Sequence, residues 1–163
     1  MVRLVNLKDA ALVCDIYNYY ILNSISTFEL EELSVNEISE RINRVMEKYP
    51  WVVYEEEGII LGYAYADQWK NRKAYAHTVE SAVYVRDGYY KSGIGRQLYT
   101  FLINELKNIN MHAVIAGISL PNDASITLHE KLGFENIARF KQVGYKFERW
   151  IDVGYWELIL RQE

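Results

Sequence analysis

Apolar side chains recur along the chain at two periods, and the points where one gives way to the other divide it into elements. Residues 3–7 read as a short strand. After Asp9, the side chains Val13, Ile16, Tyr17, Tyr20 and Ile21 fall at steps of three and four, one face of a helix. A polar, irregular stretch runs from Asn23 to Leu33. Ser34 and Glu37 then form the pattern of a capping box, Ser closing the first turn of a helix and Glu reaching back to its start. Ile38, Ile42, Val45, Met46 and Tyr49 supply that helix's expected buried stripe, and Pro50 ends it.

From Trp51 the texture turns to β. Trp51–Tyr54 and Ile59–Tyr65 are β-rich runs around Glu57-Gly58, which reads as a hairpin. Thr78 to Val85 alternates, with Val79, Ser81, Val83 and Val85 on one face and Glu80, Ala82 and Tyr84 on the other. A helix is expected from about Gly95 to Lys107, with Leu98, Leu102 and Leu106 inward. His112 to Ser119 is a nearly continuous apolar strand, the mark of one covered on both faces. A short helix from about Asp123 to Leu132 should stop at Gly133, and strands around Glu135–Val143 and Asp152–Leu160 close the chain. This order predicts an α/β or α+β fold with a mixed sheet. No repeat or Pro/Gly/Ser-rich linker interrupts it, so residues 1–163 are expected to form one domain.

Composition narrows the function. Half of the 163 residues are hydrophobic and 25% are charged, the profile of a folded globular chain. The net charge of −4 opposes broad binding to nucleic acid or anionic membranes. An anionic ligand would therefore need a local pocket of donors. The N-terminus lacks the pattern of a signal peptide and no apolar run approaches a bilayer span, so a cytoplasmic location is expected. The single cysteine, Cys14, lies among Leu12, Val13 and Ile16 and reads as a buried filler. With His77 and His112 also isolated, no metal site is expected.

Two segments carry candidate chemistry. The strand ending Val83-Tyr84-Val85 is followed by Lys91-Ser92-Gly93-Ile94-Gly95-Arg96 at a helix start. A strand feeding a glycine-bearing loop into a helix clusters free N–H groups at the helix's positive end, a phosphate site. A plain strand–helix turn needing two glycines reads the same way from these residues alone. The loop is neither a Walker loop nor a three-glycine dinucleotide fingerprint. Downstream, after another strand, lies Asn122-Asp123-Ala124-Ser125 through His129 to Gly133-Phe134. In this order the pair resembles the cofactor motifs of the GNAT superfamily of N-acetyltransferases. There a Gln/Arg-x-x-Gly-x-Gly/Ala loop holds the pyrophosphate of coenzyme A, and a later Asn, helix and Gly-Phe complete the site.

Further stretches resemble one branch, the phosphinothricin N-acetyltransferase family, over nearly the whole chain. They include Tyr49-Pro50-Trp51, Trp69 to Tyr75, Thr78 to Val85, Leu120-Pro121-Asn122-Asp123, Val143-Gly144-Tyr145-Lys146 and Trp150 to Trp156. Two positions depart from the pattern: Tyr90 stands where the loop often begins with Gln or Arg, and Ser119 where relatives that use phosphinothricin commonly have Gly.

The resemblance implies transfer of acetyl from acetyl-CoA to the amino group of a small amino-acid-like anion, phosphinothricin, methionine sulfoximine or a relative. It implies the GNAT fold, a mixed, mostly antiparallel sheet flanked by helices. Glu80 becomes the candidate base. His129 stands where many relatives have a Tyr acid, and is either that acid or a helix histidine that packs. The cofactor would be held by Val83, Tyr84, Val85, Lys91, Ser92, Gly93, Ile94, Gly95, Arg96 and Asn122. The acceptor would meet Lys70, Arg72, Tyr75, Tyr84 and Ser119 under a lid of Phe28 and Val153. The aromatic segment Trp150–Trp156 points to a homodimer. A peptide or polyamine acceptor and a silent acyl-CoA-binding module are the alternatives; the Lys70–Arg72 pairing opposes a polyamine, and retention of Glu80 and His129 opposes the module.

Overall fold

The computed structural model describes residues 1–160, built on one seven-stranded sheet. Strand β1 (Val2–Leu4) is shorter than the sequence pattern suggests, because Leu7–Asp9 turn as a 3-10 helix capped by Asn6. Two helices follow, α1 (Ala10–Asn23) and α2 (Val35–Met46), and the Ser34–Glu37 capping box is present as expected. Strands β2 (Trp51–Glu56) and β3 (Ile59–Gln68) form the hairpin around Glu57-Gly58, and β4 spans Thr78–Val85. Helix α3 (Ile94–Asn108), strand β5 (Ala113–Ser119) and helix α4 (Asp123–Lys131) come next. The chain closes on β6 (Glu135–Lys146) and β7 (Arg149–Ile159).

Both closing strands run further than their hydrophobic pattern shows. They meet at a two-residue turn in which Phe147 and Glu148 adopt φ of 52° and 58°. Such tight turns usually advertise themselves with Asn or Gly, and this one does not. The α2 stripe also narrows: Ile38, Ile42 and Val45 are buried, but Met46 faces outward.

Strand order is β1-β2-β3-β4-β5-β7-β6, antiparallel everywhere except between β4 and β5. On one face, α3 and α4 pack over Val79, Val114, Ala116 and Trp156, with Leu98, Tyr99, Leu102 and Leu106 fully buried. On the other, α1 and α2 cover Trp51, Val53, Ile60, Tyr63 and Tyr84. Gly62 lets α3 come close: a Cβ there would stand 3.0 Å from the Tyr84 carbonyl and 3.1 Å from Ile94 and Leu98 side-chain carbons. Cys14 is buried, its thiol on the Leu33 carbonyl at 3.2 Å. Among the described residues no helix is long and apolar enough to cross a membrane.

One irregularity of the sheet positions everything that follows. The β4–β5 ladder holds only three register pairs, Thr78–Ala113, Val79–Val114 and Glu80–Ile115. Beyond Glu80 the two strands continue without pairing to each other, although β3 stays registered with β4 up to Val85 and β7 with β5 up to Ser119. The result is a V-shaped opening in the middle of the sheet.

Candidate active site

Backbone N–H and C=O groups are seldom left unpaired when shielded from water. The edge of β4 from Ser81 to Val85 that faces β5 has no strand partner, so an extended ligand with amides of its own could pair with it. At the upper end of β4 the chain turns through Arg86–Gly93 into α3. Gly93 takes φ of 82° with nothing within 4 Å of where a Cβ would stand, and caps α3 without a side chain. By contrast, α2 and α4 are capped by the Ser34 and Asn122 side chains. The first N–H groups of α3 are thus left open beside Lys91 and Arg96, which are exposed and in no ion pair among the described residues.

The two loop glycines do different work. Gly93 supplies the left-handed turn, whereas Gly95 serves close packing: its Cβ would lie 3.2 Å from Leu128 on α4. Ile94 is buried, and the Ser92 hydroxyl is spent on the Tyr89 carbonyl at 2.6 Å. Asn122 likewise accepts the Ser125 N–H on its side-chain oxygen at 3.1 Å, and its amide nitrogen makes no hydrogen bond among the described residues. Tyr20 donates to the Val85 carbonyl at 2.7 Å and fixes the end of β4.

Glu80 and Ser81 straddle the point where the strands part, and alternation sends them to opposite faces. Glu80 shares its face with Tyr84, Gly117, Ser119, Val153 and Tyr155. Its carboxylate oxygen lies 3.4 Å from where a Gly117 Cβ would be, with the Tyr155 ring at 3.3 Å from the same point. The missing side chain of Gly117 therefore opens space beside the carboxylate. Glu80 is half-buried and has no hydrogen bond or ion pair among the described residues, whereas Glu29 is held by Arg41 and Asp67 by Arg44. Burial, and then the neighbouring Asp67 carboxylate, push Glu80 above the ordinary carboxylate range.

His129 lies on the other face, 3% exposed. The Ser125 carbonyl can only accept, so Nδ1–H donates to it at 2.7 Å; Nε2 then accepts from the Tyr99 hydroxyl at 2.8 Å. Tyr99 in turn accepts from Ser81 at 3.0 Å. Burial pushes His129 below the ordinary imidazole range, so the ring is neutral. Both nitrogens are engaged inside the protein, and the group of this chain that reaches β4 is Ser81.

The remaining candidates divide. Lys70, Arg72 and Tyr75 sit together on the β3–β4 connection, before β4 begins, while Lys91 and Arg96 follow its end. Seven residue steps of strand separate the two groups by about 23 Å. Lys70 lies over the Trp69 ring at 4.6 Å and the Tyr75 ring at 5.7 Å, and Arg72 is exposed with its guanidinium unpaired among the described residues. The Tyr84 ring is not open to an acceptor as expected: it is packed among Tyr17, Tyr20 and Tyr63, its hydroxyl 3.4 Å from the Ser26 carbonyl. Val153 is buried in the sheet, and Phe28, on the loop between α1 and α2, is partly exposed with its ring against Gly144. Gly117, Tyr155, Ser81 and Tyr99 belong to the site although the sequence pattern does not single them out; only the pairing of β5 with β7 could have pointed to Gly117 and Tyr155.

The acetyltransferase (GNAT) domain family matches residues 2–154, and the chain belongs to it. It is 42% identical over 156 residues to a phosphinothricin N-acetyltransferase of Streptomyces viridochromogenes, covering 96% of this chain and 85% of that one. It is 35% identical over 160 residues to the L-methionine sulfoximine/L-methionine sulfone acetyltransferase of Salmonella typhimurium, covering 98% and 94%. A phosphinothricin acetyltransferase from Sinorhizobium meliloti, solved in complex with acetyl-CoA, superposes with a TM-score of 0.95 at 32% identity over 98% of this chain and 88% of that one. Within the superfamily, then, the chain is an acetyl-CoA-dependent N-acetyltransferase of the phosphinothricin N-acetyltransferase family.

The contrast between Glu80 and His129 yields a pH test. Glu80→Gln should lower kcat/KM by about 10²–10⁴-fold and abolish the acid limb of the pH profile. That limb should rise through a pKa above the usual Glu value of about 4.3. Because the folded pKa is raised, ionised Glu80 costs stability above its unfolded pKa, so the amide should melt no lower at neutral pH. His129→Gln should leave the limb in place; a limb that follows His129 instead would reassign the titrating group.

Proposed function

We propose that the chain acetylates the amino group of a small amino-acid-like anion of the phosphinothricin or methionine sulfoximine type, with Glu80 as the base. The observation that carries this is Glu80 itself: a half-buried carboxylate without a cation or hydrogen-bond partner among the described residues, where the sheet opens. A carboxylate kept for structure would be paired, as Asp9, Glu29, Asp67 and Asp152 are. The names of the two relatives support the substrate class.

Acetyl-CoA supplies an activated thioester, and the open N–H groups at Gly93–Arg96, with Lys91 and Arg96, would hold its phosphates. Glu80 removes the proton from the incoming ammonium, so that the nitrogen attacks as a neutral amine. The Arg86 N–H donates to the Leu61 carbonyl on β3, so by alternation the Val85 N–H points to the β5 side, where it would donate to the carbonyl oxygen as negative charge develops on it. As the C–S bond breaks, the proton left on the attacking nitrogen passes through solvent to the departing thiolate, whose pKa is near that of an ordinary thiol, about 8.5, so little further acid assistance is needed near neutrality. Of the two readings of His129, its geometry supports the one in which it positions Tyr99 and Ser81 rather than donating a proton itself. Arg72, with Lys70 beside it, grips the acceptor's anionic group. A cytoplasmic setting suits a chain whose one cysteine is buried and reduced.

We also propose a homodimer through the β6–β7 hairpin. The aromatic segment at the chain end splits: Ile151, Val153 and Trp156 are buried, but Trp150 is 63% exposed and packs at a tilt against Tyr145, 55% exposed, with ring centres 4.8 Å apart. Val143 and Phe147 extend this apolar surface. A cavity of about 630 Å³ lies beside it between α4 and the hairpin, lined by Pro121, Asp123 and Trp150 among others but not by Glu80.

Two outcomes follow. Arg72→Ala should raise the acceptor KM by about ten- to a hundredfold, the loss of a charge-assisted contact, while acetyl-CoA affinity by calorimetry barely moves. Weakened acetyl-CoA binding with intact acceptor kinetics would dissolve the division into two anion grips. In light scattering at micromolar concentration the chain should show twice its 19.2 kDa mass, and Trp150→Glu should halve that value; a monomeric parent chain would contradict the dimer.

A further inference from the structure

Lys146 is 3% exposed, and no carboxylate pairs with it among the described residues. Its ammonium donates to the Ser24 carbonyl at 2.7 Å and the Thr27 carbonyl at 2.9 Å, and lies 5.0 Å from the Phe147 ring centre. A buried charge without a counter-ion is costly. Burial accordingly pushes Lys146 below the ordinary amine range. Two strand positions back on the same face, Gly144 receives the Phe28 ring: a Cβ at Gly144 would stand 2.3 Å from the Phe28 Cζ.

The place of these contacts gives them meaning. The loop between α1 and α2 is tied to the β4 side of the opening, where Thr27 bonds Tyr17 at 2.9 Å and Ser26 faces Tyr84. Besides its bonds to α1 and α2, the loop is tied to β6 through Lys146 and Gly144, with β5 and β7 lying between in the sheet. The last β5 pairing is Ser119–Val153, whereas Gly144–Ile151 and Lys146–Arg149 lie beyond it, so the hairpin tip overshoots β5 at the open end of the V. The loop and the hairpin tip therefore bridge the two halves of the sheet on the Glu80 face.

We propose that Lys146 and Gly144 are positioning residues for the acceptor amine: they clasp the α1–α2 loop across the open end of the β4–β5 cleft and fix where Phe28 sits above it. The clasp acts on the acceptor side and not on the cofactor, whose donors lie at the start of α3. This assignment rests on Glu80 marking the acceptor face.

Lys146→Met keeps the length of the side chain and removes both hydrogen bonds; Gly144→Ala keeps the ammonium and displaces the Phe28 ring. Kinetics should use whichever amine the parent enzyme acetylates fastest, so that an error in the substrate class leaves the test intact. Each variant should raise the acceptor KM by about tenfold or more with a smaller change in kcat, and leave acetyl-CoA affinity within about twofold. Lys146→Met should also speed amide hydrogen exchange in the peptide spanning Ser24–Leu33. In a Phe28→Leu background the effect of Gly144→Ala should shrink, because its target is gone. Unchanged acceptor KM in both variants, or an equal loss of acetyl-CoA affinity, would reduce the clasp to a stability feature and overturn the proposal. Should Lys146→Met fail to fold, Gly144→Ala and its Phe28→Leu pairing decide alone.

Discussion

Everything functional in this protein depends on where a parallel ladder stops. Strands β4 and β5 pair at Thr78, Val79 and Glu80 and then part, leaving a main-chain edge without a strand partner inside the protein. The gap opens where strand alternation sets Glu80 on one face and Ser81 on the other. It also aims the end of β4 at the uncapped start of α3. An acceptor on the Glu80 face and a thioester along the β4 edge can then meet without either crossing the sheet. The α1–α2 loop and the β6–β7 hairpin bound this arrangement on one side, and the Tyr99–His129 chain steadies it on the other.

Electrostatics follow the same division. The chain is acidic overall, yet unpaired cations gather at the two ends of β4, Arg72 before it and Lys91 and Arg96 after it. Other arginines are consumed: Arg3, Arg41, Arg44 and Arg139 are all paired with carboxylates. Glu80 remains without a cation among the described residues, and burial, with the Asp67 carboxylate beside it, holds it above the ordinary carboxylate range. A Lys or Arg brought against it would hold it ionised and lower its pKa.

Much of this was legible in the residues. The alternation of Thr78–Val85 gave the bounds of β4 and the correct face for Glu80, because a half-buried strand writes its period directly into the chain. The Ser34 capping box and the Glu57-Gly58 hairpin were equally readable, since each is set by neighbours within a few positions. The interrupted ladder was not, because β4 and β5 are joined through a whole helix and their pairing leaves no local trace. For the same reason the Lys146 clasp was hidden: its partners lie 122 and 119 residues away. The Phe147–Glu148 turn hid the ends of β6 and β7 by using residues that seldom take positive φ. The roles of Tyr84 and His129 also depend on long-range packing, which turns a recognisable motif position into a buried, engaged side chain.

Completion of the unpaired β4 edge by acetyl-CoA is tested most directly by amide hydrogen exchange, followed residue by residue with and without acetyl-CoA. Exchange should slow at those N–H groups between Ser81 and Val85 that face β5, and at Gly93–Arg96, with little change at Arg72–Tyr75. Acetyl-CoA binding that left the β4 edge exchanging as before, while protecting the β3–β4 connection instead, would contradict it.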